Sequence, residues 1–314
     1  MRFSKQLSIE HPQSPLYWNL LLMTACTILA TSLLYFDQRI ISGSLAWIKP
    51  IKFSLSLGIY SLTLVWIIQF FDGHIAAIKR LSWIITIMGW IEIVAIFGQV
   101  ARGEQSHFNI STPLNSFIFS LMGISITIFW ISHLILSFRL FKMKSINPFL
   151  KESLLWGMLI AAYAMIIGFF MTSPRPEQIE LMKSGIVQTN GSHTFGAPDG
   201  GPGIFFFGWS TIAGDLRVAH FFGMHAMQVF TLIPILILGL NGKNQSFKNH
   251  NFALRLLGIA IFGITLVMTV QALNGESIFR STSLFQGFYL FFTIITICSL
   301  FMFSLKFNPT KEVK

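Results

Sequence analysis

The stretch "RVAHFFGMHAMQVFTLIPILILGL", Arg217–Leu240, decides the fold. Residues 218–240 carry no Asp, Glu, Lys or Arg, and they exceed the roughly 20 residues that an α-helix needs to cross a bilayer. Seven further apolar segments of similar length occur, at 16–36, 51–71, 81–100, 116–138, 154–171, 252–273 and 283–305. In hydrocarbon every backbone polar group must be satisfied internally, and an uninterrupted apolar run does this as a helix. A transmembrane barrel would instead show short alternating segments. The expectation is an all-α, polytopic transmembrane bundle of eight spanning helices, forming a single domain over 1–314. The composition agrees: 53% of the residues are hydrophobic and 11% charged, where soluble domains carry about a quarter charged residues.

The net charge of +10 could suggest nucleic acid, but its distribution argues against that partner. With both termini in the cytoplasm, the inner segments hold 14 of the 22 Lys and Arg residues, among them Lys79, Arg80, Arg139, Lys142, Lys144 and Lys151. That is the positive-inside bias, and it predicts a multi-pass protein of a plasma membrane whose partner is the lipid bilayer. The N-terminal residues lack a short apolar region with a small-residue cleavage site, so the first helix is expected to be retained. Cys26 and Cys298 lie within apolar helices without a CxxC partner and are expected to be small buried hydrophobes.

The inner loops are short and basic. The outer segment 172–217 is long, and loops of that length are functional or disordered. Its "PRPEQIELMKSG" has a helix-start proline and a terminal glycine. Its "GAPDGGPGIFFFGW" combines turn chemistry with aromatics. An ordered extracytoplasmic lid over 172–217 is expected, dipping back toward the bundle.

Ionisable residues inside membrane helices are expensive and point to function. On the third helix Gly89, Glu92, Ala95, Gln99 and Arg102 recur at helical spacing, with Glu92 about 10 Å below the outer end. On the sixth, His225 lies at a similar depth, with Gln228 one turn further. The second helix begins with Lys49, Pro50 and Lys52. Glu92 and His225 are too deep and too short to snorkel, so the two are expected to meet. Asp215 reads as a helix N-cap and Arg217 as an interfacial anchor. His133, and the hydroxyls of Ser116, Ser120 and Thr127, read as structural hydrogen bonders.

Glu92, His225, Asp215 and Arg217 are therefore the candidate catalytic groups. His107, His220, His225, Arg102 and Lys52 are the candidate cofactor contacts. Metal ligation would draw on His220, His225, Glu92 and His107, although His220 and His225 lack the i, i+4 spacing of a zinc helix. Haem or a transition metal are the cofactors these types suit, with His225 and His107 as axial ligands. No Walker loop, GxSxG or desaturase histidine box is present.

At "WIKPIKF", "QVARGEQSHFN", "TSPRPEQ", "HTFGAPDGGPG" and "GWSTIAGDLRVAHFFGMHAMQ" the chain resembles a bacterial family of eight-helix integral membrane proteins. The resemblance implies this topology and a bacterial inner-membrane location, and it transfers no catalytic role to any residue. The residues themselves leave four functions open, the last of them a structural or assembly factor whose polar groups pair with one another. One is a metal- or haem-dependent oxidoreductase or cofactor-binding protein. The alternative is a proton-coupled transporter or channel for a small solute. The third is an enzyme acting on a lipid-borne substrate.

Overall fold

The computed structural model describes residues 13–186, 188–238 and 248–304. It contains eight helices long and apolar enough to cross a membrane. They are α1 (Ser14–Phe36), α2 (Ile48–Ile68), α3 (Ile75–Ala101), α4 (Pro113–Lys142), α5 (Pro148–Thr172), α7 (Leu216–Leu238), α8 (Lys248–Leu273) and α9 (Ser283–Ser304). A short α6 (Pro176–Lys183) lies between α5 and α7. Residues 239, 240 and 305 of the expected segments lie outside the described residues, as do both termini and the α7–α8 connection.

Several helices begin earlier than their apolar runs because their first turns are built by capping. Thr112 accepts from the Asn115 amide, and Pro113 opens α4. Asn147 caps the Phe149 and Leu150 amides ahead of α5, with Pro148 in its first turn. Neither proline sacrifices an intrahelical bond there. Helix α3 starts at Ile75 and runs through Lys79 and Arg80, whose long side chains suit both a helix and a membrane interface.

The centre of the bundle is packed from α2 through α5, with Leu64, Ile67, Ile85, Phe129, Leu136 and Met158 fully or almost fully buried. Small residues set the closest approaches. A Cβ on Gly157 of α5 would lie 3.0 Å from Met227 Cα and 3.0 Å from Phe230 Cβ on α7. One on Gly223 would lie 2.7 Å from Ala164 Cβ. Such contacts replace the hydrophobic driving force that lipid removes. The outward faces remain apolar, as at Ile28 and Tyr35 of α1 or Leu290 and Phe301 of α9. Cys298 belongs to that exposed face and Cys26 is half-buried, so neither is the buried hydrophobe expected.

The segment between α5 and α7 is knitted to one end of the bundle, here the loop end. Its β3 (Thr194–Phe195) pairs antiparallel with β4 (Gly214–Asp215). Asn190 N donates to Phe108 O, and Ile110 N to Gln188 O, which ties it to the α3–α4 loop. Gly200 crosses Gly43, in the hairpin of β1 (Ile40–Ile41) and β2 (Ser44–Leu45), at a distance that no Cβ on Gly43 would permit. Gly214 lies against the Ala272 carbonyl at the end of α8.

Candidate functional site

The site forms where the first turn of α2, the last third of α3, the α3–α4 loop and the long segment converge. Glu92 is 5% exposed on the buried face of α3. Its Oε1 lies 3.4 Å from His107 Nε2, and its Oε2 is buried without a hydrogen-bond partner. His107 reaches this position because the α3–α4 loop folds back over α3, with Phe108 in the left-handed region at φ 66°. Its ring rests on Phe53, with centroids 5.3 Å apart, and its Nδ1 is 3.1 Å from Ser106 Oγ. Burial, and then the charge of Lys49, push the His107 imidazole well below its ordinary range. It is therefore held neutral.

Lys49 and Lys52 come from the first turn of α2. Lys49 makes no ion pair among the described residues, and Glu92, Lys52, Arg217 and Asp199 all lie within its electrostatic reach. Lys52 Nζ donates to Phe207 O at 3.0 Å, which fastens the long segment to α2. Beyond it Phe207, Trp209 and Phe221 pack ring against ring, with Phe207 and Trp209 centroids 4.6 Å apart.

A second carboxylate–imidazole pair comes from "HTFGAPD", which carries no expectation from sequence. Asp199 Oδ2 accepts from His193 N at 3.0 Å and lies 3.2 Å from His193 Nδ1. Its Oδ1 accepts from Thr194 N and Ser192 Oγ. Burial outweighs the carboxylate's pull and holds His193 down at about 4. Burial also acts to raise Asp199, but the donors from His193 and Thr194 outweigh it and keep the group far below the usual carboxylate range. Together these describe a carboxylate bonded to a neutral imidazole, which fixes the proton on His193 Nδ1 and leaves Nε2 without one.

Asp215 is 4% exposed and clamps Arg217 through both oxygens, at 2.9 and 2.6 Å. It also accepts from the Ser210 and Arg217 amides. The latter bond has the geometry of a helix cap at the start of α7. Arg217 Nη2 donates on to Gly208 O.

The remaining candidates lie in separate environments. His225 packs against Phe221 with centroids 4.3 Å apart and the rings tilted by 60°, and its Nδ1 is 3.2 Å from Gln228 Oε1. Gln228 donates to Thr63 Oγ1, so His225 belongs to an α7–α2 network, and the contact made by Glu92 is with His107. His220 Nδ1 lies 2.7 Å from Ala164 O. Arg102 is bound to Gln99 and Asn115 at the start of α4. His133 bridges Tyr60 and Met158 O, and Thr127 bonds the Gly123 carbonyl. Among the described residues no three His, Cys, Asp or Glu side chains converge in an arrangement that would hold a metal ion.

The fold and this cluster define a class: a polytopic helical membrane protein with acid–base groups buried at one end. Compared with models of known families, with curated proteins and with solved structures, the chain matches none.

Proposed function

We propose that the protein couples the movement of protons to that of a small anionic solute across a bacterial inner membrane, with the loop end facing outward and both termini cytoplasmic. The observation that carries this reading is Glu92. A buried polar atom left without a partner costs about 1–3 kcal/mol, and ionisable groups persist at such depth where they move ions or protons. Glu92 Oε2 is such an atom, and Oε1 faces the His107 imidazole at 3.4 Å. Lys49, Lys52 and Arg217 supply positive charge for the anion. An anion seated at Lys49 acts on Glu92 through space, so solute binding favours proton binding, and by linkage the reverse holds. The 172–217 segment acts as the lid over that seat.

Two other readings have less support. A metal-dependent oxidoreductase needs converging ligands, and among the described residues no three His, Cys, Asp or Glu side chains converge to hold an ion; the two histidines suited to haem, His107 and His225, contact Glu92 and Gln228. An enzyme acting on a lipid-borne substrate draws on the His193–Asp199 pair, whose imidazole, held at about 4, is a weak general base.

The test is reconstitution in liposomes loaded with a pH-sensitive dye, under imposed gradients of inorganic phosphate and of two- to four-carbon carboxylates. At least one anion should move protons faster than empty liposomes allow, and Glu92→Gln should remove the effect. Rates equal to those of empty liposomes for the whole panel sink the reading.

A further inference from the structure

Many hydroxyls in these helices donate to the carbonyl four residues back. Thr27, Thr63, Thr127 and Thr265 all do so, at 2.7–2.8 Å. Ser82 and Thr86 of α3 do not. Both residues are fully buried, and each hydroxyl oxygen is without a hydrogen-bond partner. Asn19 of α1 is fully buried as well. Its Nδ2 donates to Ser61 Oγ at 2.7 Å, and its Oδ1 has no partner.

These atoms are aligned. Ser82, Thr86, Gly89 and Glu92 fall within roughly 120° around the helix and along about 15 Å of its length. The Asn19 amide faces Gly89, 3.9 Å from where a Cβ would stand, at a level of α3 between Thr86 and Glu92 where the glycine adds no side chain. Ser82 is about 10 Å from Ile75, the first residue of α3, at the end of the bundle opposite the long loop. Four buried polar atoms without protein partners thus lead from Glu92 toward the far membrane face. Ordered water commonly satisfies such atoms, making about three bonds per molecule.

We propose that this side of α3 is a proton path, in which water joins Ser82, Thr86 and Asn19 and connects Glu92 to the membrane face at the start of α3. Each hydroxyl or water in the relay accepts a proton on a lone pair and passes its own to the next group. No relay group is consumed, and one positive charge arrives at, or leaves, the Glu92 carboxyl. The path rests on the reading that Glu92 exchanges protons, and it supplies the side of the membrane from which it does so.

The test uses the full-length protein in liposomes, with Cys26→Ala and Cys298→Ala as background. Ser82→Cys and Thr86→Cys are treated with a small cationic thiol reagent, and Thr265→Cys serves as an equally buried control whose native hydroxyl is satisfied. Hydration of the path predicts modification at Ser82 and Thr86 at least about tenfold faster than at Thr265. Equal rates overturn the path, and they leave the anion-driven proton movement that tests Glu92 free to succeed or fail by itself. If the cysteine variants do not fold, Thr86→Val keeps the shape and removes the hydroxyl. It should slow Glu92-dependent proton movement about tenfold while Thr265→Val does not, and equal effects overturn the proposal.

Discussion

Replacing Gly43 by alanine should release the long segment from the bundle, and the size of the effect follows from two features of the structure. Gly43 has φ 78°, a region that costs an L-residue about 1–2 kcal/mol. Its Cβ would also stand 2.4 Å from Gly200 O and 2.6 Å from Gly200 Cα, so one of the two backbones must move. Together these give a local loss of about 2–4 kcal/mol. Asp199 adjoins Gly200 and holds the His193 and Thr194 amides, so the disturbance should reach those two donors. Hydrogen exchange followed by mass spectrometry in detergent reads this directly. A loss of 2 kcal/mol speeds exchange about thirtyfold where opening is local. Gly201→Ala is the control, because its nearest neighbour would be Pro198 O at 3.8 Å and its φ is ordinary. Gly201→Ala should change exchange at His193 and Thr194 little. Equal protection in the two variants would refute the docking of this segment on the α1–α2 hairpin.

Further outcomes follow from the same geometry. His193 is held at about 4 in the fold against 6.5 ordinarily, with Asp199, Arg217, Lys49 and Phe108 around it. Between these values the unfolded chain binds a proton that the folded chain refuses, so stability falls as pH drops from 6.5 toward 4, by about 3 kcal/mol in all. Thermal unfolding of wild type and His193→Gln across that window should show the slope reduced in the variant. Gly157→Val should destabilise the α5–α7 contact by about 1–3 kcal/mol in a denaturant titration. Gly123→Val, where nothing lies within 4 Å, should do so far less. Lys49→Met should weaken the stabilisation that a bound anion gives to thermal unfolding, and an unchanged shift would remove Lys49 from the anion seat.

The helices were legible because hydrocarbon imposes one pattern on every span. Their ends were less so, since Thr112, Asn147 and the Lys79–Arg80 pair extend helices beyond the apolar runs that reveal them. Rise per residue fixes how far Glu92 and His225 stand along α3 and α7. Depth gives no azimuth between helices, however, and the partner of Glu92 arrives from a loop. His107 is carried back over α3 by a turn at Phe108 whose course has no periodicity to read. The His193–Asp199 pair was hidden for a related reason: five intervening residues, β3 and the turn after it, bring the two together, and only the folded backbone shows it. Asn19, Ser82 and Thr86 could be recognised as polar residues in helices, but whether a hydroxyl bonds its own helix depends on packing around it.

The central claim is that the Glu92 carboxyl gains and loses a proton inside the membrane. Infrared difference spectroscopy of the protein in lipid, recorded across the pH range in which it stays folded, tests this most directly. The account predicts a carboxylic C=O band that appears and disappears reversibly, vanishes in Glu92→Gln and shifts in His107→Ala. A spectrum without a titrating band assignable to Glu92, or one that His107→Ala leaves unmoved, would contradict it.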